Sequence, residues 1–396
     1  MSMFCYQCEQ TAQGKGCTVR GVCGKVPEVA GLLDLLLYAA KDISRYAHRA
    51  RQLGAADRAV DLFVLEALFT TVTNVNFDPP AIQKKIQAGA KIKAKAVALY
   101  AQAAAKAGKT PEKLSCPVSW WENADDLDGL LAQAARIGVP TRLDKLGPDV
   151  TGLQELITYG LKGAAAYADH AQVLGVADDA VYAGFHELLD YLTTAPADAA
   201  ELTARALKVG ELNLKVMELL DRANTAAYGQ PEPTKVRVTP VQGKCIAVSG
   251  HDLKDLAMLL EQTAGKGINV YTHGEMLPCH GYPALKKHKH LVGNYGGAWQ
   301  DQQKEFDAFP GAILMTTNCI QKPREGYQGR IFTTGLVAFP DVTHIPAGAN
   351  GKKDFTPVIE AALAAPGFPA DEPEQSITVG FGHNAVMSVA GAVIDA

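Results

Sequence analysis

The chain has 396 residues, 47% hydrophobic and 20% charged, which is the balance of a soluble globular protein with two or three domains. Its net charge of -4 provides no overall positive charge for nucleic acid or an anionic membrane, so we expect neither as a partner. The longest apolar stretch, Val29 to Ile43, is interrupted by Asp34 and by Lys41 and Asp42. It therefore predicts a buried helix and not a membrane span.

The first residues contain neither a basic segment nor an apolar segment of the secretory type. We therefore expect a cytoplasmic protein, in which thiols stay reduced. Eight cysteines in a chain of this length do not indicate a disulfide framework, but four of them fall within the first 23 residues. That clustering requires a local explanation.

After this cysteine-rich loop, residues 27 to 225 have helical spacing with many Ala and Leu residues and almost no strand-type alternation. Loops with Gly and Pro join the helical segments, so we predict helical bundles. Residues 114–150 are less regular and are predicted to connect two bundles. The predicted helices are 29–51, 59–73, 80–107, 151–174, 178–193 and 198–225.

Residues 226–235 are predicted to form a linker with two prolines, after which short apolar runs alternate with helices. This pattern is typical of a parallel, Rossmann-like α/β sheet. The predicted strands are 244–249, 267–272, 290–294, 312–317 and 330–337.

The C-terminal part is predicted to hold a helix at 355–363, a linker at 364–369, a strand at 376–381 and a helix at 384–396. One strand and one helix cannot bury their own faces, so this end reads as the start of a truncated third domain. The predicted fold class is multidomain α plus α/β. Its domains are 1–228 (cysteine loop and helical bundles), 235–368 (α/β) and 376–396 (the start of a second α/β domain).

Cys5, Cys8, Cys17 and Cys23 have the spacing C-x2-C-x8-C-x5-C. Four thiolates are the ligands of a [4Fe–4S] cubane, one for each iron, and also of a structural zinc ion. Two disulfides are disfavoured by the expected compartment. Because few bulky apolar residues separate the cysteines, a metal must supply the folding energy of the loop. Spacing alone predicts a metal site and ranks iron–sulfur only modestly above zinc.

A second group of residues follows three predicted strands. His251 follows 244–248, Glu275 follows 268–271, and Cys319 follows 312–315. Ligands bind at the carboxyl ends of parallel strands, and imidazole, carboxylate and thiolate together suit iron or another transition metal. Each residue alone has a plainer explanation. His251 could stand with Asp252 at a helix start, Glu275 could lie in a surface loop, and Cys319 could be a buried thiol. Their shared position favours a joint site.

The remaining Cys and His residues have weaker signals. Cys116 has no partner cysteine nearby, Cys245 is predicted in the core, and Cys279 with His280 is more simply a loop than a pocket. Lys286–His290 is a basic stretch, predicted to be a solvated face or a docking patch for an acidic electron donor. Five histidines are predicted to be structural: His48, His170, His186, His344 and His383.

Six long and specific motifs extend along the whole chain. They are Met3–Thr11, Leu161–Tyr167, Gly250–Leu256, Val270–Pro278, Gly293–Gly297 and Thr316–Cys319. In these motifs the chain resembles the hybrid cluster protein family, also called the prismane or hydroxylamine reductase family. The resemblance implies an N-terminal helical domain of two three-helix bundles, followed by two α/β domains.

The resemblance also implies two cofactors. The spacing of the N-terminal cysteines resembles that of members with a surface [4Fe–4S] cluster, which favours iron–sulfur over zinc. The second cofactor is a buried hybrid [4Fe–2O–2S] cluster, whose ligands map here to His251, Glu275 and Cys319. The family takes its other ligands, three cysteines and a glutamate, from a third domain. We therefore expect an incomplete ligand set and either a fragment or a natural truncation, with the uncapped last helix favouring a fragment.

The implied activity is reduction of hydroxylamine to ammonia and water, with nitric oxide as another substrate. Electrons pass from an external donor, such as a ferredoxin or an NADH-dependent reductase, through the N-terminal cluster. Three alternatives stay open: an electron-transfer or redox-sensing protein without turnover, a relative of the nickel carbon monoxide dehydrogenases, and a structural zinc protein.

Overall fold

A computed structural model describes residues 3–317 and 320–395 of the chain. The chain packs as two compact units, Met1–Leu220 and Asp221–Ala396. Within the described ranges, no helix is both long enough and apolar enough to cross a membrane. The finer division into 1–228, 235–368 and 376–396 stays a prediction.

The first unit is built from helices. Pro27 and Pro79 stand in the first turns of α1 and α3, where a missing N–H costs nothing, and the side chains of Asp57 and Asp178 cap α2 and α6. The helices are α1 Pro27–Gln52, α2 Arg58–Thr70, α3 Pro79–Lys106, α4 Leu127–Ala134, α5 Val139–Val173, α6 Asp179–Thr193 and α7 Ala199–Tyr228. The last of these crosses the division between the units.

The core of this unit surrounds α1, which packs against α2, α3, α4 and α6. Leu32, Leu35, Leu36 and Ile43 are fully buried at helical spacing. A charged pair is buried beside them: Asp42 accepts hydrogen bonds from Lys93 Nζ at 2.6 Å and from Trp120 Nε1 at 3.0 Å. This buried group ties α1 to α3 and to the connecting segment.

Three predicted boundaries are wrong. Residues 114–150, predicted as irregular, contain α4 and the start of α5; there the backbone leaves helical geometry at Gly147, before Pro148, which interrupts the periodicity. The predicted linker 226–235 is shorter at both ends, since α7 continues to Tyr228 and a strand begins at Thr234. The predicted helix 384–396 is two short helices.

The second unit contains a six-stranded parallel sheet in the order β4–β3–β2–β5–β6–β7. Strands β2 and β5 are almost wholly buried, as expected for central strands covered on both faces. The strands of this unit are β1 Thr234–Arg237, β2 Lys244–Ser249, β3 Ile268–His273, β4 Leu291–Asn294, β5 Ala312–Met315, β6 Ile331–Thr334, β7 Thr343–Ile345 and β8 Ser376–Val379. The predicted parallel sheet is confirmed.

The sheet is accompanied by helices α8 Leu253–Thr263, α9 Pro283–Lys286, α10 Gln302–Ala308, α11 Glu325–Gln328, α12 Thr356–Ala364, α13 His383–Ser388 and α14 Ala390–Asp395. A separate two-stranded sheet pairs β1 with β8 in antiparallel register, Thr234 opposite Val379. The strand at β8 was predicted, but its partner β1 was not, because β1 has only four residues and directly follows Pro233.

Strand order reverses between β2 and β5, which follow one another in the sheet although β3 and β4 lie between them in the chain. At such a switch point the loops leaving the two strands diverge and open a crevice at their carboxyl ends. The residues that leave β2 and β5 are therefore the first place to look for a site in this unit.

Candidate metal centres

The cysteine-rich loop before α1 folds back on itself. Cys5 and Cys17 face each other, with the N–H of Cys5 donating to the carbonyl oxygen of Cys17 at 3.0 Å and the reverse bond at 2.8 Å. Thr11 N–H donates to the carbonyl of Cys8 at 3.1 Å, which makes a turn between the two. The backbone itself thus brings the first and third cysteines of the quartet side by side.

Hydrogen-bond donors surround the sulfur of Cys17. Ala12 N–H lies 3.5 Å from Cys17 Sγ, and Thr11 Oγ1 lies 3.7 Å from it while donating to the carbonyl of Cys5 at 3.1 Å. Burial raises the pKa of the Cys17 thiol, but the N–H groups of Ala12 and Val22, together with Thr11, outweigh burial and lower it. The loop therefore favours the thiolate of Cys17, the form that binds metal.

The other thiols lie near enough to act on one another. Burial raises the pKa of Cys8, and Cys23, Cys5 and Cys17 raise it further. A side chain at Gly21 would meet Cys23 Sγ at 3.0 Å, so glycine is required where the loop approaches this sulfur. These four cysteines are free thiols, which excludes the two-disulfide alternative for this structure.

The quartet supplies four thiol groups from one short loop, the ligand set of an iron–sulfur cluster and also of a structural zinc ion. The loop thus has the ligand type, the number of thiols and the N–H donors that an iron–sulfur cluster requires.

The second group lies at the switch point of the sheet. His251 follows β2, Glu275 lies in the 3-10 turn after β3, and their Nε2 and Oε2 atoms are 3.0 Å apart. Thr317, just after β5, accepts the N–H of His251 at 2.8 Å and contacts His251 Nδ1 at 3.0 Å. The carboxyl ends of three neighbouring strands therefore converge on one imidazole.

Close approach at this point depends on Gly250, whose φ is +109°. A side chain there would meet Thr316 Oγ1 at 2.5 Å and Thr317 N at 2.7 Å. Asp252 caps α8, accepting from Lys254 N at 2.9 Å and Asp255 N at 3.0 Å, so its predicted role at the helix start is confirmed.

A buried polar network supports the turn that holds Glu275. His273 Nδ1 lies 3.0 Å from Ser249 Oγ, and His273 Nε2 lies 2.9 Å from Glu305 Oε2. Glu305 also accepts the N–H of Gly297 at 2.9 Å, and its hydrogen bond with His273 lowers its pKa. Sequence reasoning missed His273 and Thr317, although both adjoin predicted ligands; Glu305, on α10, had no sequence signal.

Cys319 lies outside the described residues. Cys245 is fully buried in β2, as predicted, and Cys116 Sγ lies 3.6 Å from Tyr38 Oη. Cys279 and His280 are buried, and His280 Nε2 contacts Thr272 Oγ1 at 3.0 Å.

Comparison with known proteins identifies relatives along the whole chain. The Prismane/CO dehydrogenase family profile matches residues 3–396. Proteins named hydroxylamine reductase from Rhodospirillum rubrum and Syntrophobacter fumaroxidans are 54% and 53% identical over 394 residues, which is 100% of this chain and 71% of each relative.

A more distant likeness is to the solved structure of carbon monoxide dehydrogenase IV from Carboxydothermus hydrogenoformans. It is 15% identical, with a TM-score of 0.41, over 98% of this chain and 59% of that one.

Sequence identity above 50% to these relatives over the whole chain shows that the protein is an iron–sulfur oxidoreductase. Since the family profile covers nearly every residue, the chain belongs to the Prismane/CO dehydrogenase family.

Proposed function

We propose that Cys5, Cys8, Cys17 and Cys23 hold a [4Fe–4S] cluster through which electrons enter the protein. The support is the N–H groups around Cys17 and the position of the other three cysteines, close enough to Cys8 to raise its pKa. Such a cluster, when bound, supplies one-electron transfer. The residues of the chain hold the thiolates and aim donors at sulfur, which stabilises the reduced, more negative state.

The second cofactor in this proposal is a hybrid [4Fe–2O–2S] cluster with His251, Glu275 and Cys319 among its ligands. Thr317 holds Nδ1 of the imidazole, which leaves Nε2 directed at Glu275. Nε2 and the Glu275 carboxylate are therefore placed side by side as ligand atoms.

The reaction is the two-electron reduction of hydroxylamine, NH2OH + 2e⁻ + 2H⁺ → NH3 + H2O, and nitric oxide is a further candidate substrate. Support comes from the names of relatives at 53–54% identity. The donor is a ferredoxin or an NADH-dependent reductase, and the compartment is the cytoplasm. The division of the helical unit into two three-helix bundles belongs to the same proposal.

A second candidate is an electron-transfer or redox-sensing protein without turnover. The observation that favours it is the cysteine quartet with N–H groups directed at Cys17, which can transfer electrons without a second cofactor. The two functions differ in whether hydroxylamine consumes electrons.

The test is hydroxylamine-dependent oxidation of reduced methyl viologen by the anaerobically purified chain, with ammonia counted. The proposal expects about two viologens oxidised per ammonia, loss of turnover in Cys319→Ala, and full turnover in Cys116→Ala as the matched cysteine control. A protein that carries the N-terminal cluster but oxidises no viologen with hydroxylamine favours the second candidate. Unchanged turnover in Cys319→Ala contradicts the ligand assignment.

A further inference from the structure

The helical unit encloses a cavity of about 450 Å³ between α1, α5 and the cysteine loop. This is within the usual size range of small-molecule sites, about 300–1,000 Å³. Its walls are partly apolar, including Leu37, Val139 and Leu146, and partly charged. A ligand that fits both kinds of wall has an apolar body and a charged group.

The sign of that group follows from the lining side chains. Six are cationic and two, Asp34 and Glu155, are carboxylates. Two of the cations are already satisfied: Arg142 donates to Glu155 at 2.6 Å, and Arg45 donates to Asp42 at 3.3 Å and to the carbonyl of Ser115 at 2.7 Å. The remaining cations of the lining are Lys41, Lys145, Lys162 and Arg136, and they give the cavity its excess positive charge.

Lys41 is the cation that most needs a partner. It lies on α1, lines the cavity and makes no hydrogen bond or ion pair within residues 3–317 and 320–395. Burial, with Arg142 adding to it, lowers the pKa of Lys41 to about 7. Burial likewise lowers the pKa of Lys162 to about 8, although Lys162 donates to the carbonyl of Thr71 at 3.2 Å.

The mouth of the cavity is positively charged, like its interior. Arg136 and Lys145 are both exposed at its edge, where they attract anions, while Lys41 and Lys162 lie inside. Among the described carboxylates of the lining, Glu155 is paired with Arg142, whereas Asp34 has no ion pair and would oppose an anion. Burial raises the pKa of the Asp34 carboxyl to about 6. A protonated Asp34 becomes a hydrogen-bond donor to the same ligand.

We propose that this cavity binds a small organic anion, a carboxylate or a phosphate ester, with its charged group on Lys41 and its apolar body against Leu37, Val139 and Leu146. This goes beyond the proposed function, because binding does not require a cluster. Cys5 also lines the cavity, so an anion bound there disfavours an added electron on the N-terminal cluster. That consequence alone rests on the proposed function.

The test is isothermal titration of the purified, iron-loaded chain at neutral pH with benzoate, phenyl phosphate and the neutral control benzamide. The proposal expects saturable binding of at least one anion and binding of benzamide that is weaker by roughly tenfold or more, since the charge-assisted bond is missing. The anion with the higher affinity distinguishes a carboxylate ligand from a phosphate ligand.

Variants fix the position of the site. Lys41→Met is expected to weaken anion binding by roughly tenfold or more, Lys41→Arg to restore most of it, and Asp34→Asn to strengthen it. Lys91→Met, which removes an exposed lysine of α3, serves as the matched control. Asp34→Asn keeps the site testable if Lys41→Met fails to fold.

The proposal is overturned if neither anion binds, if benzamide binds as tightly as benzoate, or if Lys41→Met and Asp34→Asn both bind like the wild type. Visible absorbance of the same samples reports the cluster separately. Anion binding without that absorbance contradicts only the cluster assignment, and absorbance without anion binding contradicts only the cavity proposal.

Discussion

Thr11 is the side chain that links two of the candidate ligands. Its hydroxyl donates to the carbonyl of Cys5 at 3.1 Å and lies 3.7 Å from Cys17 Sγ. We predict that Thr11→Val loses about 1 kcal/mol of loop stability, roughly a fivefold change in an equilibrium constant, and releases iron to a chelator faster. The measurement is the decay of cluster absorbance with time.

Thr18→Val is the control for this change, because Thr18 is exposed in the same loop and its hydroxyl makes no bond to a cysteine in the described part of the chain. It should release iron at the wild-type rate. Equal rates for wild type and Thr11→Val would show that the hydroxyl does not support the site.

His186 gives the helical unit a pH-dependent stability. It is buried, with Nε2 2.9 Å from Asp61 Oδ1 and Nδ1 3.0 Å from Ser44 Oγ. Burial lowers its pKa from the usual 6.5 despite Asp61. The unfolded chain therefore takes up a proton on this histidine at a higher pH than the folded chain does. The contribution of His186 to the free energy of unfolding is complete above about pH 6.5 and decreases as the pH falls below that value.

We predict that the free energy of unfolding by urea decreases between pH 7.5 and pH 5.5, and that His186→Gln removes part of this decrease, since glutamine stays neutral. Helical circular dichroism reports unfolding. An identical pH dependence in wild type and His186→Gln would exclude this histidine as the source.

At the scale of the element, α5 packs closely against α7 through one glycine. A side chain at Gly160 would meet Val209 Cγ1 at 2.6 Å, whereas a side chain at Gly163, on the same helix, would meet nothing within 4 Å. We predict that Gly163→Ala raises stability by about 0.5–1 kcal/mol through helix propensity. In Gly160→Ala, overpacking of about 1–3 kcal/mol offsets that gain and lowers stability.

The measurement is the urea midpoint of the two variants against the wild type, with each serving as the control for the other. Equal stabilisation by both substitutions would mean that Val209 moves without cost and that this helix contact is loose.

Elements were predictable from the sequence where one physical signal dominates. Apolar periodicity gives α1 to within two residues at each end, and buried apolar runs give five of the six parallel strands of the sheet. Strand β7 was not predicted, because only the last of its three residues is buried. The signal fails where several short elements follow one another, as at α4 and the start of α5, because Gly147 and Pro148 interrupt the period. It also fails at β1, four residues whose pairing with β8 crosses about 140 residues of chain.

At the scale of the whole molecule, the candidate site was predictable only in part. Parallel strands place His251 and Glu275 at one edge of the sheet, and the structure puts their side chains 3.0 Å apart. The sequence contains no corresponding signal for Glu305 or for the charged cavity beside Cys5, because both depend on how distant helices pack. The role of Cys319 stays a prediction.

The central claim is that Cys5, Cys8, Cys17 and Cys23 hold an iron–sulfur cluster, and low-temperature EPR of the anaerobically purified, dithionite-reduced protein tests it most directly. We predict the signal of a reduced [4Fe–4S]⁺ cluster with at least about four irons and four sulfides per chain. The signal should be lost in Cys17→Ser and kept in Cys116→Ser. About one zinc per chain without such a signal, or a signal unchanged in Cys17→Ser, would contradict the claim.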